Sequence, residues 1–251
     1  MSGHSKWSQI KRQKGANDAK RGALFTKVGR EIAIAVRQGG PDPDANYRLR
    51  LAVEKARSVN MPADNIKRAI DKASSAGDKA EQYEEIVYEG YGPGGVAILV
   101  EAATDNRNRT AADVRSIFTK AGGQLAGSGA VAWQFEPRGV ISVPRDTQDP
   151  DEVALVAIDA GADDVDTAAD PLEITTQPGD LERVRQGLEA AGVRIESAEL
   201  TMQAKGTVEI DGNQVRQNLR LIESLEDHDD VQRVSANFEL PDEVLLEAAS
   251  A

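Results

Sequence analysis

The residues of this chain best suited to chemistry are cations. Lys6, Lys11, Arg12, Lys14, Lys20, Arg21, Lys27 and Arg30 crowd its first stretch. Nine of the first 38 residues are Lys or Arg, and only Asp18 and Glu31 oppose them. Residues 1–80 hold 17 Lys+Arg against 8 Asp+Glu, whereas residues 81–251 hold 13 against 34. The whole chain is acidic, with a net charge of −12, but one end is built to meet phosphate. Cations spaced along an arm displace counterions from a phosphate backbone without choosing a sequence. Trp7, among them, would stack on a base. The alternative is a solvated terminus docked on the chain's own acidic domains.

Three further groupings compete as sites. Arg107 and Arg109 lie in the polar run Thr104-Asp105-Asn106-Arg107-Asn108-Arg109, between a strand and a helix. A helix N-terminus there would draw an anion, making these arginines a second possible contact. The same run also reads as a turn in which Asp105, Asn106 and Asn108 satisfy the local backbone. The glycine-rich runs 90–95 and 122–129 lack the pattern of a P-loop or dinucleotide loop and read as turns needing positive φ. Glu226-Asp227-His228-Asp229-Asp230 is acidic without EF-hand spacing and reads as a solvated turn. No nucleophile elbow, HExxH or P-loop is present, so no catalytic residue, metal, cofactor or small-molecule substrate is expected. With no cysteine, thiolate chemistry is excluded and a reducing, cytoplasmic setting fits. The basic, acid-poor start has the composition of an organelle transit peptide, but it continues into a helix with its own apolar seam. No run approaches the roughly 18 apolar residues of a membrane span.

Hydrophobic spacing supplies the elements that must carry these residues. Residues 1–17 read as a basic mobile arm. Phe25, Val28, Ile32 and Val36 recur at helical spacing from about Asp18 to Arg37, with Lys27, Arg30 and Arg37 opposite and Ile34 interrupting the polar face. A second helix is expected over 44–58 (Leu49, Val53 and Ala56 inward), and a third from Pro62 to Gly77. Strands are expected at 83–89, 95–102 and 131–135, and a helix from Thr110, with Asp113 completing a capping box, to about Gly122. Residues 139–201 then read β-α-β-(β)-α-β, the split βαβ order of a ferredoxin-like domain. Residues 206–238 add strand 206–210, helix 213–226 and strand 231–238. Two strands and a helix bury too little to stand alone. The expected architecture is therefore α+β: an N-terminal three-helix domain (18–78), a discontinuous α+β domain (79–136 plus 205–240), an inserted ferredoxin-like domain (137–204) and an acidic tail (241–251).

The residues also carry a resemblance. Gly3-His4-Ser5-Lys6-Trp7, Ile10-Lys11, Lys20-Arg21 and Phe25-Thr26-Lys27 resemble the opening of the YebC/PmpR family. Met61-Pro62, Tyr88-Glu89-Gly90-Tyr91-Gly92-Pro93-Gly94-Gly95, Thr104 to Thr110 and Asp229-Asp230-Val231 are similar to its later stretches. Gln124-Leu125-Ala126 and Gln203-Ala204 depart from the family pattern. The resemblance implies two α+β domains around a cleft and a non-enzymatic regulator of gene expression. Its partner would be DNA, for a transcriptional regulator, or ribosomal RNA, for a ribosome-associated translation factor. A protein-interaction module gripping a basic partner with the acidic domains is the reading from another class.

Overall fold

The computed structural model describes residues 18–75, 83–145 and 148–239. Three helices open it: α1 (Asp18–Gly39), α2 (Tyr47–Ser58) and α3 (Ala63–Ser75). Their core is the seam read from the sequence, with Val28, Ile32, Val36, Leu49, Val53, Ala56 and Ile66 buried together. α2 starts later than the apolar spacing suggests because Asn46 caps it. The Asn46 side-chain carbonyl accepts from the Leu49 N–H at 3.1 Å, and its amide donates to the Ala35 and Gly40 carbonyls at 2.7 and 2.8 Å.

Two four-stranded antiparallel sheets follow. The chain first lays down β1 (Glu84–Tyr91), β2 (Ala97–Thr104), α4 (Arg107–Lys120) and β3 (Gln124–Leu125). It then builds the second sheet from β4 (Phe135–Val143), α5 (Pro150–Ala160), β5 (Asp164–Asp166), β6 (Leu172–Thr176), α6 (Leu181–Ala190) and β7 (Ser197–Ala204). Finally α7 (Gly212–Glu226) and β8 (Val231–Ala236) return to the first sheet. The strand orders are β3-β1-β2-β8 and β5-β6-β4-β7. The second is the ferredoxin order, and the first places its β1–β2 hairpin at the centre. Each sheet packs one face against two helices. Val114 and Phe118 of α4 and Leu221 and Ile222 of α7 meet Ile98 and Val100, while Val184 and Leu188 of α6 meet Ile141 and Ile174.

Four local expectations are corrected. The strand expected at 131–135 and the first strand of the 139–201 unit are one strand, β4, preceded by a 3-10 turn at Ala132–Gln134. Pro137 sits inside β4 because β6 pairs with it only from Gly139 onward, which leaves Pro137 with β7 alone as neighbour. Residues 206–210 form no ladder; Val208 makes a single parallel bridge to Phe238. The helix expected from Thr110 begins at Arg107, and the last strand of the unit expected to end at 201 runs on to Ala204.

The first glycine run works by closeness as well as by turn geometry. Gly94 and Gly95 have φ of +79° and +78°, as a turn requires, but Gly92 does not have positive φ. A Cβ on Gly92 would lie 2.0 Å from Asn218 Oδ1, whose amide holds the Pro93 carbonyl at 2.8 Å. Gly92→Ala is expected to cost about 2 kcal/mol, the usual scale of overpacking. An unchanged urea midpoint would contradict that account of the glycine.

Candidate nucleic-acid interface

α1 has two buried sides. One carries the seam into the helical core. The other carries Lys27, Arg30 and Ile34, neighbours at helical spacing, and it docks on the end of the first sheet. Lys27 Nζ donates to the Glu226 carbonyl. Arg30 Nη1 donates to the Asp229 carbonyl at 2.6 Å, to Asp230 Oδ1 at 2.8 Å and to the Ala103 carbonyl at 3.4 Å. The Arg30 guanidinium also stands over the Tyr83 ring, 5.3 Å from its centroid. Ile34, one turn on from Arg30, is buried. Burial pushes the Lys27 ammonium below its ordinary range, against the opposing pull of Glu226, Asp227 and Asp229. The acidic run 226–230 thus receives two cations from α1.

Asp230 is the centre of this junction, and only 2% of it is exposed. Its Oδ2 accepts from Thr110 Oγ1 at 2.7 Å, Arg109 Nη2 at 2.8 Å and Thr104 Oγ1 at 3.2 Å. Burial by itself would raise this carboxyl. Arg109, Thr110 and Arg30 overcome that and hold it down at about 2. The donors are aligned by the start of α4. Asn106 is its cap, accepting from the Arg109 N–H at 3.1 Å, and Thr104 Oγ1 accepts from the Asn106 N–H at 2.9 Å. Thr110 is therefore a buried residue of the first turn rather than a cap. The anion drawn to this helix start is Asp230. Arg109 bridges it to Asp105, also at 2.8 Å. Arg107, largely exposed, lies 3.6 Å from Glu84.

A second built anion site lies at the other end of β1. The buried Glu89 carboxylate accepts N–H bonds from Gly129, Val131 and Ala132 at 2.6, 2.7 and 2.8 Å. Burial would raise its pKa, but these three donors lower it below the ordinary range. The glycine-rich run 122–129 therefore leads into a concave set of backbone N–H groups that holds Glu89. Gly122 and Gly129 do have the positive φ expected of turns.

The structure thus brings Lys27, Arg30 and Arg109 together around one acidic turn, with Arg107 on the same helix start. Lys20 and Arg21 lie in the first turn of α1. Lys6, Trp7, Lys11, Arg12 and Lys14 lie outside the described residues. Sequence reasoning passed over Asp230 and Glu89 as organising groups. The one available signal was Ile34, an apolar residue on a basic face. Charged contacts also tie α2 to α6, the helix on the second sheet: Arg50 to Glu182 at 3.0 Å and Arg185 to Glu54 at 3.5 Å. Arg233 of β8 meets Glu199 of β7 at 3.3 Å and Glu101 of β2 at 3.6 Å.

Comparison with known proteins agrees along the whole length. Residues 5–76 match the family model described as the TACO1/YebC protein N-terminal domain, and residues 83–238 match TACO1/YebC second and third domain. A relative from Rubrobacter xylanophilus is 56% identical over 99% of this chain and 100% of its own. Another, from Thermomicrobium roseum, is 55% identical over 97% of this chain and 98% of its own. Both carry the name probable transcriptional regulatory protein. The crystal structure of a conserved hypothetical protein from Aquifex aeolicus is similar at a TM-score of 0.83 and 48% identity, covering 89% of this chain and 92% of that one. With its N-terminal domain and its second and third domains all matched, this chain belongs to the TACO1/YebC family.

Proposed function

We propose that this chain is a cytoplasmic, nucleic-acid-binding regulator of gene expression that acts on DNA. Phosphate contact is made by Lys6, Lys11, Arg12 and Lys14 of the arm and by Lys20 and Arg21 of α1. The observation that carries this reading is that both built anion sites already hold carboxylates of the chain, Asp230 and Glu89. Within residues 1–21 the sequence sets these cations against one acidic residue, Asp18. The names of the relatives support regulation of transcription, and no described helix is long and apolar enough to cross a membrane. The chain acts as a binder, with Lys27 and Arg30 holding the contact helix in place.

The test is the affinity of the full chain for duplex DNA against salt, with and without K11E/R12E/K14E. The triple variant is expected to lose at least about tenfold in affinity. The slope of log K on log salt becomes shallower by roughly 0.9 for each phosphate that is no longer neutralised. Unchanged affinity sinks the arm as the binding element and favours the acidic domains as a protein-binding surface. Ribosomal RNA is the second reading. It is favoured because the cations lie in the arm and the first helix rather than in a second helix after a tight turn. Sedimentation of the protein with ribosomes at low salt, abolished by the same triple variant, would select it over DNA.

A further inference from the structure

Five large apolar side chains are exposed among the described residues: Val87, Tyr91, Trp133, Leu155 and Ile158. Two of them form one surface. Trp133 is 68% exposed and Tyr91 37%. Trp133 Nε1 and Tyr91 Oη donate to the same acceptor, the Ala130 carbonyl, at 3.1 and 3.0 Å. That carbonyl belongs to the loop whose N–H groups grip Glu89, so both rings stand on backbone fixed from beneath. Lys205, also exposed, donates from Nζ to the Trp133 backbone carbonyl at 3.0 Å and brings a cation to the same loop. Gln124, exposed on β3, pairs with Tyr91 across the sheet edge. Tethered aromatic faces, an amide and a cation suit a flat π-system attached to a phosphate chain.

We propose that Trp133 and Tyr91 form a stacking platform for an unpaired base of a single-stranded nucleic acid. This rests on the reading of the chain as a nucleic-acid binder and adds a second point of attachment to it. A duplex buries its base faces, so the platform takes a strand that is open or locally melted. Stacking needs little charge, which lets it work on an acidic body that repels a phosphate backbone. It also lies well away from the helical docking face. Tyr91 is opposite Ala97 at one end of β2, and Arg30 reaches the Ala103 carbonyl near the other, about 20 Å away along the strand. Base and phosphate contacts are therefore separate, and engaging the platform leaves Lys27 and Arg30 in place.

Trp7 and Trp133 are the only tryptophans, so in a Trp7→Phe background the emission reports Trp133 alone. The full-length W7F protein is titrated with short oligouridylate and oligothymidylate while the anisotropy of the labelled oligonucleotide is read in parallel. Binding is expected to quench Trp133. Adding Trp133→Leu is expected to weaken binding by about five- to a hundredfold, the range of base–aromatic stacking, while Trp133→Phe retains most of the affinity. The urea midpoint of each variant checks that folding is intact. The preferred oligonucleotide identifies RNA or DNA as the source of the base. If the oligonucleotides bind with Trp133 emission and W133L affinity unchanged, the platform is refuted and phosphate binding stands. If neither they nor duplex DNA bind at all, both readings fall.

Discussion

Asp230→Ala is expected to lower the free energy of unfolding by about 3 kcal/mol, at the low end for removing one partner of a buried ion pair. The low end applies because Arg30 keeps the Asp229 and Ala103 carbonyls after the carboxylate is gone. For a chain of this size the melting temperature would fall by about 6–12 °C. The effect has a signed pH dependence. The folded-state carboxyl is depressed to about 2. Its contribution is fully present above the unfolded value of about 3.9 and is lost as pH falls from there towards 2. The gap between wild type and D230A in urea titrations is therefore wide at neutral pH and closes in acid. A gap that stays constant across that range would mean that the ionised carboxylate is not what stabilises the junction.

Glu89→Gln is the second large effect. The substitution keeps the shape, removes the charge and turns an amide towards three backbone donors. Charge-assisted hydrogen bonds are worth about 1.5–3 kcal/mol each, and one acceptor oxygen remains, so the expected loss is about 3 kcal/mol. The direction with pH is the same. The depressed carboxyl of Glu89 stabilises the fold above the ordinary glutamate range and ceases to do so as pH falls through its folded value. A structural corollary separates this variant from D230A. Hydrogen exchange at Gly129, Val131 and Ala132 should quicken in E89Q and stay slow in D230A. Equal protection of those amides in E89Q and wild type would show that the loop does not depend on the carboxylate.

The α+β architecture was legible because its signals are local. Val28, Ile32 and Val36 repeat at helical spacing, and the glycines and Pro93 mark the β1–β2 turn. The junction was hidden because its partners are remote. Thr110 fits a helix start by its own neighbourhood, yet its hydroxyl is bonded to a carboxylate 120 positions away. Glu89 sits in a strand whose alternation shows only that it shares a face with Val87 and Tyr91; its donors lie 40 and more positions on. Lys27 and Arg30 looked like phosphate ligands because a cation bonded to carbonyls of another unit is indistinguishable, in sequence, from one facing solvent. Ile34 was the trace of that burial, since an apolar residue inside a basic stripe marks a side that packs. Pro137 interrupts no strand because that stretch of β4 is paired on one side only.

The return of β8 to the first sheet has a consequence for biosynthesis. β2 pairs with β8 over most of its length, and α7 supplies Val215, Leu219, Leu221, Ile222 and Leu225 to the core beneath. Both arrive only after the whole second sheet has been translated. At elongation rates of about 5–20 residues per second, β2 waits roughly 6–25 s for its edge to be covered. During that interval the second sheet, whose strands are contiguous in the chain, can complete itself. The nascent chain therefore carries a finished domain behind an open hairpin, and that hairpin's uncovered β2 edge is the segment a chaperone would have to shield.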